Sequence, residues 1–169
     1  NGPTSDTTPA FNLSGAGEGE TYECKVDGGA YAATGSLFVT GTLSEGTHTV
    51  TCRLVDAAGN AGPGSTTSVT IDSEAPGSVT IDGPDGPTND TTPTLTLTSN
   101  ETGGHFECRI DGGAWQTVPA SWTLPALSEG EHTVTCRYVD AANNAGAESS
   151  IVIVVDTTAP GAPTVTGSG

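Results

Sequence analysis

Over long stretches, residue n of this chain and residue n + 84 are the same or closely similar. TSDTTPAFNLS at 4–14 returns as TNDTTPTLTLT at 88–98, and YECKVDGGAY at 22–31 as FECRIDGGAW at 106–115. LSEGTHTVTCRLVDAAGNAG at 43–62 returns as LSEGEHTVTCRYVDAANNAG at 127–146, and no gap interrupts the register. So constant an offset means two copies of one folding unit. The frame of the copies is shifted, however. APGSVTIDGP at 75–84 precedes the second copy and has no counterpart before the first, while a relative, APGAPTVTGS at 159–168, trails the second. The sequence therefore predicts a unit at 1–74 lacking its first strand, a unit at 75–158, and a linker plus opening strand of a following repeat at 159–169, all part of a longer tandem array. It leaves open whether 78–82 serves the first unit or the second.

Each copy reads as about seven short strands. In the second they fall at 78–82, 93–98, 105–111, 114–117, 120–124, 131–140 and 150–156. HTVTCRYV alternates with period 2, so Val134, Cys136 and Tyr138 share one face and Thr133, Thr135 and Arg137 the other. The first set is the expected core face. DGG at 27–29 and 111–113 marks a hairpin turn, and SEG at 44–46 and 128–130 a second turn. With 24 Gly and 11 Pro and no helical periodicity, the fold class is all-β: two tandem immunoglobulin-like β-sandwiches.

The four cysteines fall one pair per copy, Cys24 with Cys52 and Cys108 with Cys136, each on the apolar face of its strand. Free buried thiols are one reading. Matched positions in both copies favour one disulfide per unit, linking the third and sixth strands within one sheet and placing the chain in an oxidising compartment. No CxxC clustering of the zinc type occurs.

Twenty Asp plus Glu stand against Lys25, Arg53, Arg109 and Arg137, a formal net charge of −16. Phosphate backbones and anionic lipid are repelled by such a chain and cations attracted, and every apolar run is too short to span a bilayer. Neither nucleic-acid binding nor membrane insertion is expected. GAGEGE at 15–20 is not GxGxxG and becomes SNETGG in the second copy. Glu18 and Glu20 have no carboxylate counterparts at 102 and 104, and nothing around Ser44, Ser128, His48 or His132 reads as an activated nucleophile, so no enzyme is expected. The histidines read as solvent-facing strand sites.

TNDTTPTLTL, LSEGEHTVTCRYVDAANNAG and the closing VDTTAPGAPTVTG resemble the tandem bacterial Ig-like repeats that form the stalks of large cell-surface adhesins, RTX-type adhesins among them. The resemblance spans nearly the whole chain. It implies an extracellular extender module on a bacterial surface that projects a distal adhesive region, with adjacent repeats as partners and Ca²⁺ at junctions between repeats. The cysteine pairs are not general in that family.

On that expectation, with the acidic stretch 73–90 at the junction, the favoured Ca²⁺ ligands are Asp6, Asp72, Asp140 and Asn144, with Glu74 in reserve and Asp90 and Asp156 as equivalents. The competing readings are Asx capping for Asp140 and Asn144 and charge for solubility at Asp6, Asp72, Asp90 and Asp156. Trp115 and Trp122 are the candidate face of a ligand-binding module for carbohydrate or a host protein; core filling is their alternative. The shifted frame adds a last expectation, that the first unit exposes a sheet edge which the C-terminal tail of a neighbouring molecule fills.

Overall fold

A computed structural model describes residues 2–167, so Ser168 and Gly169, the end of the expected following strand, lie outside the described residues. Thirteen strands and no helix are present among them, in two compact units whose sheets share no strand. Among the described residues no helix is long and apolar enough to cross a membrane.

The second unit is the fuller copy. Its strands are β7 (Thr80–Asp82), β8 (Thr94–Thr98), β9 (His105–Ile110), β10 (Gln116–Val118), β11 (Ser121–Thr123), β12 (Gly130–Val139) and β13 (Ser149–Val155). One sheet runs β10-β9-β12-β13 and the other β11-β8-β7. This is a four-on-three sandwich of antiparallel strands, and all seven strands expected from the sequence are present with ends shifted by one or two residues. In β8 the period-2 alternation of Thr and Leu becomes alternate exposure, with Leu95 and Leu97 buried. They pack with Val134, Cys136 and Tyr138 of β12, Ile153 and Val155 of β13, and Trp122 of β11. Burying a leucine of this kind contributes about 2 kcal/mol by area alone.

The first unit repeats this plan with β1 (Ala10–Asn12), β2 (Thr21–Val26), β3 (Ala32–Thr34), β4 (Leu37–Val39), β5 (Gly46–Val55) and β6 (Ser65–Ile71). Its large sheet runs β3-β2-β5-β6, but its second sheet contains only β1 and β4. Among the described residues no counterpart of β7 joins it. Residues 80–82 pair antiparallel with β8 and so belong to the second unit's sheet.

Both disulfides are formed. Cys24 and Cys52 stand directly opposite across β2 and β5, and Cys108 and Cys136 occupy the same positions in β9 and β12. Each bridge staples neighbouring strands of one sheet, so it reinforces the ladder rather than joining the layers. The DGG turns depart from expectation in one respect: the aspartates themselves take the left-handed conformation, with φ of 52° at Asp27 and 50° at Asp111. Asp tolerates that region better than most non-glycine residues because its short side chain hydrogen-bonds locally. In the second unit Gly112 follows with positive φ, and Gly113 N–H donates to Ile110 O at 2.9 Å, the closure of a type I′ turn.

Candidate functional site

The densest polar constellation in each unit grows out of that turn. Because Asp27 leaves the β2 ladder in the left-handed conformation, its carboxylate folds back over β5. Oδ1 accepts from Thr49 N–H at 2.8 Å and Oδ2 meets His48 Nδ1 at 2.9 Å. The other face of the ring reaches the SEG turn, where His48 Nε2 lies 2.9 Å from Ser44 O and 3.4 Å from Ser44 Oγ. The second unit repeats each contact: Asp111 Oδ2 to His132 Nδ1 at 2.7 Å, and His132 Nε2 to Ser128 Oγ at 3.1 Å and Ser128 O at 3.2 Å.

A serine, a histidine and an aspartate in this order have the connectivity of a hydrolase triad. The electrostatics oppose that chemistry. A carboxylate sits at one ring nitrogen and a backbone carbonyl beside a hydroxyl at the other, surroundings that favour the protonated ring. The hydrogen bond to Asp27 raises the His48 pKa above its ordinary 6.5 and the one to Asp111 does the same for His132, while the carboxyls fall below 3.8. A general base has to be neutral before it takes a proton. The constellation is a clip that ties the hairpin turn to the turn before β5. This corrects the reading of His48 and His132 as solvent-facing strand sites: only 14% of either side chain is exposed.

The outer face of each large sheet carries a second repeated arrangement. In the first unit Lys25 and Arg53 lie over the Tyr31 ring, 4.7 and 3.9 Å from its centroid, and Arg53 is bound to Glu23 at 2.8 Å. In the second, Arg109 and Arg137 lie 4.4 and 4.3 Å from the Trp115 ring and are paired with Glu148 and Glu107. These four are all the Lys and Arg the chain possesses. Every basic side chain is therefore engaged with an aromatic ring of its own unit. Of the two tryptophans considered as a ligand face, Trp115 is half-buried beneath this pair. Trp122 is corrected outright: it is 8% exposed and part of the core, because on β11 its side chain points inward.

The acidic residues considered for calcium are placed as follows. Asp6 and Asp90 form matching Asx turns, their Oδ1 atoms accepting from Thr8 N–H at 2.9 Å and Thr92 N–H at 2.8 Å. Asp72 and Asp156 follow β6 and β13, their N–H groups donating to Thr4 O and Thr88 O at 3.0 and 2.9 Å. Glu74 is exposed. Asp140 Oδ1 accepts from Ala142 and Asn144 N–H, both at 2.8 Å, and Oδ2 from Asn144 Nδ2 at 2.8 Å. Asp56 makes the same three bonds in the first unit, to Ala58 N–H, Asn60 N–H and Asn60 Nδ2, and the Asn60 amide holds its pKa below the usual value. Both Asp140 oxygens thus accept within their own loop, as the Asx-capping reading describes. Among the described residues no group of three or more His, Cys, Asp and Glu is placed to hold a metal ion.

The sandwich geometry has a match in sequence. The bacterial Ig-like domain family matches residues 1–73 and again residues 78–157. The chain belongs to the bacterial Ig-like domain family. Among solved structures this Ig-like pair is similar to the fibronectin(III)-like modules of Clostridium thermocellum CbhA, with a TM-score of 0.57, 13% identity, and 90% of this chain and 87% of that chain covered. It is also similar to the FN1–FN3 domains of chicken CNTN1, with a TM-score of 0.56 at 15% identity over 90% of this chain and 64% of that one. At such identities the likeness speaks to fold alone. No curated protein matches the Ig-like chain in sequence at a significant level. Ig-like and fibronectin-III-like families are typically non-enzymatic structural modules, and such domains with two disulfides are consistent with an extracellular or surface protein.

Proposed function

We propose that this chain is an extender segment of a bacterial cell-surface adhesin, two Ig-like modules that carry a distal binding region away from the cell. One observation carries the reading. The chemically eligible clusters recur at the same offset in both units, and each is engaged inside its own unit: the Ser-His-Asp clip, the cation–aromatic pairs and the cross-strand disulfide. A module selected for a ligand would differ between copies at the ligand face. A spacer module has only to fold, resist load and repeat.

Single-molecule pulling tests the reading. Residues 25–51 and 109–135 lie inside disulfide loops and cannot extend, so each unit should lengthen by less than its full chain, and reduction should release the remainder. Units that yield at forces no higher than those of non-load-bearing domains would overturn the role. Binding of the folded pair to a glycan or host-protein array would favour a ligand module instead.

Calcium belongs to the same proposal as a subordinate part, supported by the net charge of −16. An excess of like charge opposes compaction, and a divalent cation relieves it. The melting temperature should then rise in millimolar Ca²⁺ and fall on chelation, beyond the effect of Mg²⁺ at equal ionic strength. Equal melts remove calcium from the proposal and leave the extender role standing.

A further inference from the structure

We propose that in each unit the aspartate–histidine pair and the glutamate of the SEG turn form one latch, which fastens the outgoing chain to the unit it leaves.

The end of the ladder is where such a fastening acts. β5 and β6 pair as far as Gly46 opposite Ile71, and β12 and β13 as far as Gly130 opposite Val155. The next residues, Asp72 and Asp156, still donate their N–H groups to Thr4 O and Thr88 O. With Ser73 and Thr157 the ladder has ended, and a carboxylate takes over. Glu45 Oε1 and Oε2 accept from Ser73 N–H at 3.1 and 3.2 Å, and Oε1 accepts from Ser73 Oγ as well. Glu129 Oε2 accepts from Thr157 N–H at 2.9 Å and from Thr157 Oγ1, while Oε1 accepts from Thr158 Oγ1 at 3.1 Å. The bonds from Thr157 hold the Glu129 carboxyl below its ordinary 4.5.

The turn that aims each glutamate is itself held. Gly46 and Gly130 follow the glutamates with φ of 108° and 116° and open space where a Cβ would stand, so the backbone direction and not the room calls for glycine. One residue before the glutamates, Ser44 O and Ser128 O meet His48 Nε2 and His132 Nε2, and the other ring nitrogens meet Asp27 and Asp111. A continuous path therefore runs from the hairpin tip through the imidazole and the SEG turn to the strand exit. The glutamate holds the exit; the aspartate and histidine are positioning residues that act through it. The copies keep the chemistry where it matters: residue 73 is Ser and residue 157 Thr, each with a hydroxyl, whereas Thr47 becomes Glu131 just past the turn. Every one of these exit bonds is exposed and weak by itself, but two donors converge on one carboxylate whose turn is already fixed from its far side, which lowers the entropy lost in closing it. Load drawn through the outgoing chain meets this latch before it meets the ladder. That mechanical meaning rests on the extender reading; the latch does not.

The test is residue-resolved amide exchange on the full chain. Ser73 and Thr157 amides should be protected in the parent. Glu129→Ala should speed exchange at Thr157 about tenfold, as loss of a bond to a charged acceptor does, while Ser73 and the core amides of Leu97 and Val134 stay as they were. Glu45→Ala should give the mirror result at Ser73. Glu129→Gln, which keeps an acceptor, should retain most of the protection. Asp111→Asn should also speed Thr157, an effect that a tie confined to the hairpin would not produce. Equal exchange at Thr157 in the parent and in Glu129→Ala would overturn the latch, and an Asp111→Asn effect confined to the hairpin would overturn the path. Single-molecule pulling separates the latch from the extender reading. Glu129→Ala should lower the force of one of the two unfolding events and spare the other, whereas weak units in the parent would end the extender role and leave the exchange result to decide the latch.

Discussion

The two units run the same sequence plan and bury it to different depths. In the second, Leu95, Leu97, Cys136 and Tyr138 are sealed, whereas their counterparts Phe11, Leu13, Cys52 and Leu54 are only partly covered. Composition does not account for the contrast at Leu97 and Leu13, since the residue is the same. A three-residue strand does: among the described residues β7 is present in one sheet and has no counterpart in the other. Thr40 adds to the difference. It is buried at the position of Leu124, its backbone N–H bonded to Pro9 O as that of Leu124 is to Pro93 O, yet its Oγ1 has no partner. The outer face of β4 also shows Leu37 and Val39, each 53% exposed, where the second unit has Ser121 and Thr123. The disulfide is common to both units and pins the two strands on which each core is built.

Four measurements break or sharpen the comparison. Both tryptophans lie in the second unit, so tryptophan fluorescence follows that unit alone while circular dichroism follows both. The largest effect is expected from the disulfides. Replacing Cys24 and Cys52 by Ala should destabilise the first unit by about 3 kcal/mol and leave the fluorescence melt unmoved; replacing Cys108 and Cys136 should move it. Next, Leu97→Ala should cost about 3 kcal/mol by urea unfolding, as a sealed core position does, and Leu13→Ala only about 1 kcal/mol. Equal losses would mean that Leu13 is sealed in solution as Leu97 is. Third, Thr40→Leu should stabilise the first unit by about 1 kcal/mol, since it removes a buried unsatisfied hydroxyl and restores the residue of the deeper copy.

The smallest effect is the one on which the units should agree. The raised histidine pKa values stabilise the fold fully below pH 6.5, and this contribution is lost as pH rises through the folded-state values of His48 and His132. The depressed values at Asp27 and Asp111 act in the opposite direction, lost as pH falls through them from 3.8. The clips therefore contribute most between about pH 4 and 6.5. Histidine ring resonances should titrate above 6.5 at both positions, and Asp27→Asn should bring His48 down while leaving His132 in place.

Much of this was legible in the chain itself. The constant offset defined the units, period-2 alternation in TLTLT and HTVTCRYV marked the buried faces, and the DGG and SEG clusters marked the turns, because each of these signals is local. What escaped was pairing at a distance. Asp27 and His48 are 21 residues apart and meet only because β2 and β5 align Val26 with Val50. Arg109, Arg137 and Trp115 converge only once three strands lie side by side, so the enclosed Trp115 and the inward Trp122 could not be told apart by residue type.

The sequence by itself determined that this protein is two copies of an acidic, disulfide-paired β-sandwich, since repetition, alternation and composition act within a few residues of one another. Only the tertiary structure decided which unit holds residues 80–82, which carboxylate each histidine meets and which tryptophan turns inward. Those properties depend on strand order and register, and register joins residues that the chain keeps far apart.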